Sequence, residues 1–235
     1  MESSIYLLVI LIEYLLLVST SAPFLMANRF QKAPELGIAI WFGLFFSAML
    51  AGIAAVGMAA WSIIETYYRL QEGADIWFVL GASFAPWVML GLAGVLLALS
   101  NQKLEPMFQA AKEFDLLSKL TVREVESFKK AKIYELDLPG YFAITKDYGI
   151  YLSRDVFALP VRQYEAILWH EYGHIRLKHQ RLKRFTHLMM QLAPWFAVSR
   201  GFSYEIAKLC ELAADKYALR KVYSKDLVEA RKLFV

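Results

Sequence analysis

The sequence predicts a membrane protein that is mainly α-helical, with three N-terminal transmembrane helices followed by a cytoplasmic α+β domain that contains a small antiparallel sheet. The chain of 235 residues is 58% hydrophobic, which is too apolar for an ordinary soluble protein. The excess is concentrated before residue 100, and the remainder is rich in Lys and Arg. We therefore predict a transmembrane region over residues 1–100 and a cytoplasmic domain over residues 101–235.

Three apolar runs are each long enough to cross a bilayer. They extend from Ile5 to Met26, from Leu36 to Ile64 and from Ile76 to Leu99, and Glu13 is their only charged residue. A hydrocarbon core of about 30 Å requires about 20 helical residues, so all three runs suffice. A cleaved signal peptide is the alternative for the first run, but its start lacks basic residues and its apolar core is long.

The charges of the loops predict the orientation of these helices. Arg29 and Lys32 lie in the first loop, whereas the second loop, Glu65 to Asp75, has one basic residue against three acidic ones. Residues 101–235 hold 23 Lys and Arg against 16 Asp and Glu. The positive-inside rule then predicts a multi-pass protein of the cell membrane, with the N-terminus outside and both the first loop and the C-terminal domain in the cytoplasm.

The basic charge also restricts the partners of the C-terminal domain. An anionic lipid membrane attracts such a domain electrostatically. Nucleic-acid binding is the other explanation of the charge, but the sequence contains no recognisable nucleic-acid-binding module. We therefore predict a lipid membrane as partner and no nucleic acid.

Periodicity predicts the elements of the C-terminal domain. Apolar residues at spacings of three and four indicate a helix from Lys103 to Lys130, and Pro160 opens a second helix from Val161 to His179. Between them, two turn signals separate three β-prone runs, which predict the small antiparallel sheet. These runs are Lys132 to Leu138, Tyr141 to Lys146 and Tyr148 to Ser153.

The second of these helices carries the sequence His-Glu-Tyr-Gly-His over residues 170–174. Two histidines four residues apart share one helix face, with the carboxylate of Glu171 beside them. This pattern is typical of a zinc site that has its own general base. Zinc also needs a third protein ligand while one position stays open for water, so a further ligand is expected downstream.

A later helix, predicted from Phe202 to Val222, supplies the missing carboxylate. Glu211 can reach a metal held by His170 and His174, and Asp215 lies four residues further on the same helix face. Asp215 can accept a hydrogen bond from the second ring nitrogen of a liganding histidine, which fixes the orientation of the ring.

The apolar segment from Leu188 to Val198 lies between the two halves of this site. If it crossed the bilayer once, Glu211 would lie on the opposite side from His170 and His174. The segment is too short to cross twice, so we predict that it lies on the membrane surface or packs in the domain core.

The motif, followed by Glu-x-x-Ala-Asp on a later helix, resembles the gluzincin zinc metalloproteases. The similarity is to membrane-embedded families, namely the HtpX-like and CAAX prenyl proteases and the BlaR/MecR antirepressor-type sensors, and it covers roughly Leu138 to Leu219. The resemblance implies a zincin-like (gluzincin) fold for the C-terminal domain and Zn²⁺ as the cofactor. It also implies the roles of the site residues: His170, His174 and Glu211 bind the metal, Glu171 is the catalytic base and Asp215 supports a metal ligand.

We expect an integral-membrane zinc metalloendopeptidase, a hydrolase that cleaves membrane-associated or cytoplasmic proteins in regulation or quality control. Glu171 would assist the attack of zinc-bound water on the peptide bond, and an extended substrate would pair with the sheet edge near Tyr141 to Ile144. A prenyl-protein protease and a catalytically silent membrane scaffold that retains the metal site are the alternatives. The intact Glu171 argues against the scaffold, because metal binding alone does not require it.

Three features of the expected enzyme stay open at this point. The sequence identifies neither the substrate protein nor the oligomeric state. It also leaves several candidates for the residue that stabilises the oxyanion, which by their chemistry are Tyr172, His179, Tyr204 and Tyr217.

Overall fold

The structure is a computed structural model that describes residues 2–26, 28–102, 122–146, 148–192 and 197–234. The chain divides into two compact units. The helical unit consists of most of three long helices together with Met189–Tyr204. The mixed unit consists of the segment Phe30–Gly37, a four-stranded sheet and the remaining helical residues.

The helical unit is built on α1 (Glu2–Met26), α2 (Pro34–Gln71) and α3 (Ile76–Gln102). Within the residues that the structure describes, these are the three helices that are long and apolar enough to cross a membrane. The prediction of three helices of membrane-spanning length and composition is thereby confirmed.

Small side chains line part of the interior of the helical unit. The buried alanines of α2 recur at spacings of three and four, and they are Ala48, Ala51, Ala55 and Ala59. Leu8 of α1 and Ala93 of α3 pack in one cluster with Ala55. Small residues allow helix backbones to approach closely in a membrane. Large apolar side chains such as Trp77, which is 81% exposed, lie on the outer surface of this unit.

The mixed unit contains a sheet of β1 (Val122–Phe128), β2 (Ala131–Leu136), β3 (Ala143–Lys146) and β4 (Gly149–Ser153) in the order β1-β2-β4-β3. The outer pairs are antiparallel, but β2 and β4 are parallel. The prediction of a purely antiparallel sheet is therefore wrong at the central pairing. Turn signals in the sequence predict pairing only between strands that are neighbours along the chain. The contact of β2 with β4 joins two hairpins, so it depends on the tertiary arrangement of the chain between them.

The prediction of a helix from Lys103 to Lys130 is wrong over its last part. β1 occupies Val122–Phe128, and residues 103–121 lie outside the described residues. A bulge between Glu124 and Glu126 shifts the register of β1 against β2. The apolar residues of β1 recur every three positions, as do those of the segment before it, so their spacing does not mark where a helical pattern ends.

Helices form the rest of the described chain. They are α4 (Arg154–Phe157), α5 (Val161–Arg176), α6 (His179–Leu192), α7 (Ala197–Ala218) and α8 (Ser224–Arg231), with a short 3₁₀ turn at Lys232–Phe234. α5 ends at Arg176, before the predicted end at His179, because Lys178 takes a left-handed conformation with φ 57°. The sequence does not predict α8.

The apolar segment from Leu188 to Val198 includes the end of α6 and the start of α7, and residues 193–196 lie outside the described residues. Neither α6 nor α7 is among the helices that are long and apolar enough to span a membrane. The position of this segment at the membrane surface stays a prediction.

The core of the mixed unit fixes α5 against the sheet. Ile167 and Leu168 of α5 pack in one buried cluster with Ile133 of β2 and with Ile150 and Leu152 of β4. Full burial of each such side chain contributes about 1.5–3 kcal/mol. The helix that carries the histidine motif is therefore packed against the sheet through a buried apolar core.

Candidate metal centre

α5 presents the motif side chains inside the mixed unit. His170, Glu171 and His174 are buried, with 9%, 7% and 8% of their surfaces exposed. The spacing of four residues brings the ring centroids of the two histidines to 4.9 Å. Buried ionisable groups are costly unless they are paired, so the partners of these side chains decide what the site can do.

A close approach of two helices brings Glu211 to the motif. Gly173 of α5 faces Ala214 of α7, and a β-carbon added at Gly173 would lie 3.2 Å from the Cα atom of Ala214 and 3.3 Å from its carbonyl oxygen. Glycine leaves room for this contact because it has no β-carbon. Glu211 lies about one turn before Ala214, so the contact sets the distance between the motif and the predicted third metal ligand.

Three donor atoms from these helices form a compact donor triangle. Nε2 of His170 lies 3.2 Å from Nε2 of His174, and each of these nitrogens lies 3.4 Å from Oε2 of Glu211. A tetrahedral zinc ion with bonds of about 2.0–2.1 Å separates its ligand atoms by about 3.3–3.4 Å, so the donor triangle fits zinc. Within the described part of the chain, this is the one cluster of His, Cys, Asp and Glu side chains whose ligand atoms lie close enough together to hold a metal ion.

Asp215 lies behind His170. Its Oδ1 is 2.8 Å from Nδ1 of His170, so Nδ1 carries the hydrogen when Nε2 faces the donor triangle. Arg231 of α8 in turn donates a hydrogen bond to Oδ2 of Asp215. The C-terminal helix therefore fixes the carboxylate that orients the first histidine. The sequence does not predict this contribution, because no local pattern links Arg231 to Asp215.

α6 contributes two further contacts. Nδ1 of His179 lies 2.9 Å from Nδ1 of His174, and Nζ of Lys183 lies 3.0 Å from Oε1 of Glu211. His179 and Lys183 are one turn apart and share a face of α6. The chemistry of His179 made it a candidate for stabilising the oxyanion, but its Nδ1 lies against the nitrogen of His174 that is not in the donor triangle.

The surroundings of the site shift the pKa values of Glu211, His170 and His179. Burial opposes the charged form of Glu211, but hydrogen bonds from both motif histidines and the charge of Lys183 lower its pKa well below the usual range. Burial likewise opposes the charged form of His170, yet its hydrogen bonds to Asp215 and Glu211 raise its pKa to about 9. Burial lowers the pKa of His179 to about 3, so this histidine is neutral at physiological pH.

The edge strand of the sheet holds Glu171. The hydroxyl oxygen of Thr145 on β3 lies 2.7 Å from Oε2 of Glu171 and 3.0 Å from its carbonyl oxygen, and the hydroxyl hydrogen can be donated to either. The sequence does not identify Thr145, because nothing in the order of residues indicates that β3 meets α5 at Glu171.

The tyrosines considered for the oxyanion have other surroundings. Tyr172 and Tyr217 pack around Trp169, with ring centroids 6.0 Å and 6.4 Å from its ring. Tyr172 also packs edge-on against Phe128. This aromatic cluster stabilises the flank of α5 and explains both side chains without a catalytic role. Tyr204 is 41% exposed and belongs to the helical unit.

Comparison with known proteins gives no relative for this chain. It matches no protein-family model, no curated protein and no solved structure. The residues of the site and their geometry therefore carry the functional assignment.

Proposed function

We propose that the chain is an integral-membrane zinc endopeptidase of the gluzincin type, in which His170, His174 and Glu211 bind the metal. The observation that carries this proposal is the donor triangle, with edges of 3.2–3.4 Å, beside the buried carboxylate of Glu171. A structural zinc site is normally closed by four protein ligands, whereas three ligands leave a position for catalysis. Among the described residues the set has three protein ligands, the number that is typical of a catalytic centre.

The proposed reaction is the hydrolysis of a peptide bond. Zinc, when bound, supplies a Lewis acid that polarises a carbonyl group and lowers the pKa of water. Glu171 is the general base, and its carboxylate takes a proton from the attacking water and passes it to the nitrogen of the leaving amine. Thr145 holds Oε2 of Glu171, which leaves Oε1 for this transfer.

The edge of the sheet favours a protein or peptide as substrate. β3 is the last strand in the order β1-β2-β4-β3, so one side of its backbone is unpaired within the described sheet. An extended peptide can add to such an edge through backbone hydrogen bonds. Because Thr145 of β3 contacts Glu171, a peptide bound at this edge would run beside the general base.

A contact within the mixed unit supports a cytoplasmic active site. Nζ of Lys216 on α7 lies 3.1 Å from Oε2 of Glu35 at the start of α2. The loop before α2 contains Arg29 and Lys32, which the positive-inside rule assigns to the cytoplasm. We therefore propose that the first loop and the metal centre share the cytoplasmic side, that the N-terminus lies outside, and that the substrates are membrane-associated or cytoplasmic proteins.

The contact between Thr145 and Glu171 also favours an active peptidase over a catalytically silent scaffold. A metal site kept only for stability needs its ligands, but it does not need an oriented carboxylate beside them. Cleavage of membrane-associated or cytoplasmic proteins would serve regulation or quality control.

Substitution of the base tests the proposal. Cells that express the wild type, Glu171→Gln or Glu165→Gln are compared by proteomics of newly formed protein N-termini. Glu165 is an exposed glutamate on the same helix and serves as the matched control. We expect fragments that require Glu171 and that persist in Glu165→Gln, while all three purified proteins contain about one zinc per chain. Identical fragments in the wild type and Glu171→Gln would overturn the peptidase proposal.

A further inference from the structure

We infer that His179 is a positioning residue that orients His174 for metal binding. The inference rests on the metal centre of the proposed function. Asp215 of α7 holds the second ring nitrogen of His170, and His179 of α6 holds the second ring nitrogen of His174. The two histidines of one motif are thus supported from two different helices.

The break between α5 and α6 brings His179 to its partner. The N–H of Leu177 still donates to the carbonyl oxygen of Gly173 at 3.0 Å, and Lys178 then turns the chain with φ 57°. In an uninterrupted helix, a residue five positions after His174 would lie about 140° around the helix axis from it. The left-handed residue therefore allows two imidazoles to meet that a continuous helix would separate.

The contact has the chemistry that a metal ligand needs. Nε2 of His174 is in the donor triangle, so it must be free of hydrogen to bind a metal, and the ring hydrogen then lies on Nδ1. Nδ1 of His179, 2.9 Å away, accepts that hydrogen, which fixes both the tautomer and the orientation of the His174 ring. His179 is only 2% exposed, so water does not compete for this hydrogen bond.

Three substitutions at one position separate this role from packing. The amide oxygen of Asn can occupy the position of Nδ1, and that of Gln the position of Nε2, whereas Phe fills the space without an acceptor. We expect His179→Phe to weaken zinc affinity by about 10 to 100-fold, the usual range for losing a partner of a metal ligand. His179→Asn should retain most of the affinity, and His179→Gln should not.

The measurement is competition between a chelator and the full chain in detergent for Zn²⁺. His187→Phe is the matched control, because His187 is an exposed histidine two turns further along α6. Thermal unfolding in the presence of chelator reports whether each variant is folded. If His179→Phe does not fold, the Asn and Gln variants decide alone.

Two results would overturn the inference: a folded His179→Phe that binds zinc as tightly as the wild type, or an Asn variant that binds no better than the Gln variant. A failure of the proposed function looks different. In that case the affinities follow the expected order, but no protein cleavage depends on Glu171.

Discussion

The two units of the molecule differ in whether their buried polar side chains have hydrogen-bond partners. Among the described residues, the buried side-chain atoms without a hydrogen-bond partner are Oγ of Ser19, Nε1 of Trp41 and Nε of Arg69, and all three belong to the helical unit. In the mixed unit, by contrast, every ring of the buried histidine cluster has a polar partner within 3.2 Å. A buried polar group without a partner costs about 1–3 kcal/mol. Matched substitutions in the two units should therefore have different consequences.

The largest expected effect is the loss of zinc in His174→Ala. This variant keeps two of the three donors, and we expect no stoichiometric zinc by elemental analysis of the purified chain. Ser19→Ala in the helical unit should keep about one zinc per chain, because it leaves the donor triangle unchanged. Stoichiometric zinc in a His170→Ala/His174→Ala double variant would refute the metal assignment.

The next effect concerns the carboxylate behind His170. Asp215→Ala removes the acceptor of the His170 ring hydrogen and the partner of Arg231, so zinc affinity should fall by about 10 to 100-fold. Chelator competition measures this change. Asp137→Ala is the control, because Asp137 is an exposed carboxylate of the same unit that lies 3.6 Å from Arg154. Equal affinities of the two variants would show that Asp215 does not support metal binding.

A pair of buried serines tests the comparison directly. The hydroxyl of Ser153 donates to the carbonyl oxygen of Gly140 at 2.6 Å and accepts from the N–H of Phe142 at 2.8 Å, whereas the hydroxyl of Ser19 has no partner. Ser153→Ala should lower the free energy of unfolding by about 1–3 kcal/mol, because it removes two hydrogen bonds that each contribute about 0.5–1.5 kcal/mol. Ser19→Ala should be neutral or slightly stabilising. Thermal unfolding in detergent gives both values, and similar losses would break the contrast between the units.

The smallest effects are expected from two glycines. A β-carbon at Gly57 of α2 has no heavy atom within 4 Å, so Gly57→Ala should gain about 0.5–1 kcal/mol of stability. At Gly173 the same gain is opposed by contact with the backbone of Ala214. We expect Gly173→Ala to weaken zinc binding several-fold, because a shift of α7 moves Glu211 out of the donor triangle. A more stable Gly173→Ala with unchanged zinc affinity would contradict this coupling between helix spacing and the metal centre.

The sequence alone determined three helices of membrane-spanning length and composition, and the core of the motif. The length and hydropathy of an apolar run are properties of one stretch of chain, so the three long helices follow from them. The helical period likewise places His170 and His174 on one face without reference to any other element. The need for a third ligand then pointed to Glu211, with Asp215 beside it, and the structure brings both to His170.

Only the tertiary structure decided how these groups are held. The parallel contact of β2 with β4 joins two hairpins, and β1 forms where the apolar spacing predicted the end of a helix. Thr145 meets Glu171 across 26 residues of chain, Arg231 meets Asp215 through an unpredicted helix, and His179 meets His174 because the chain turns at Lys178. The types and spacing of residues specify which groups can bind a metal. Their orientation is supplied by neighbours from other elements of the fold, and no local periodicity encodes those contacts.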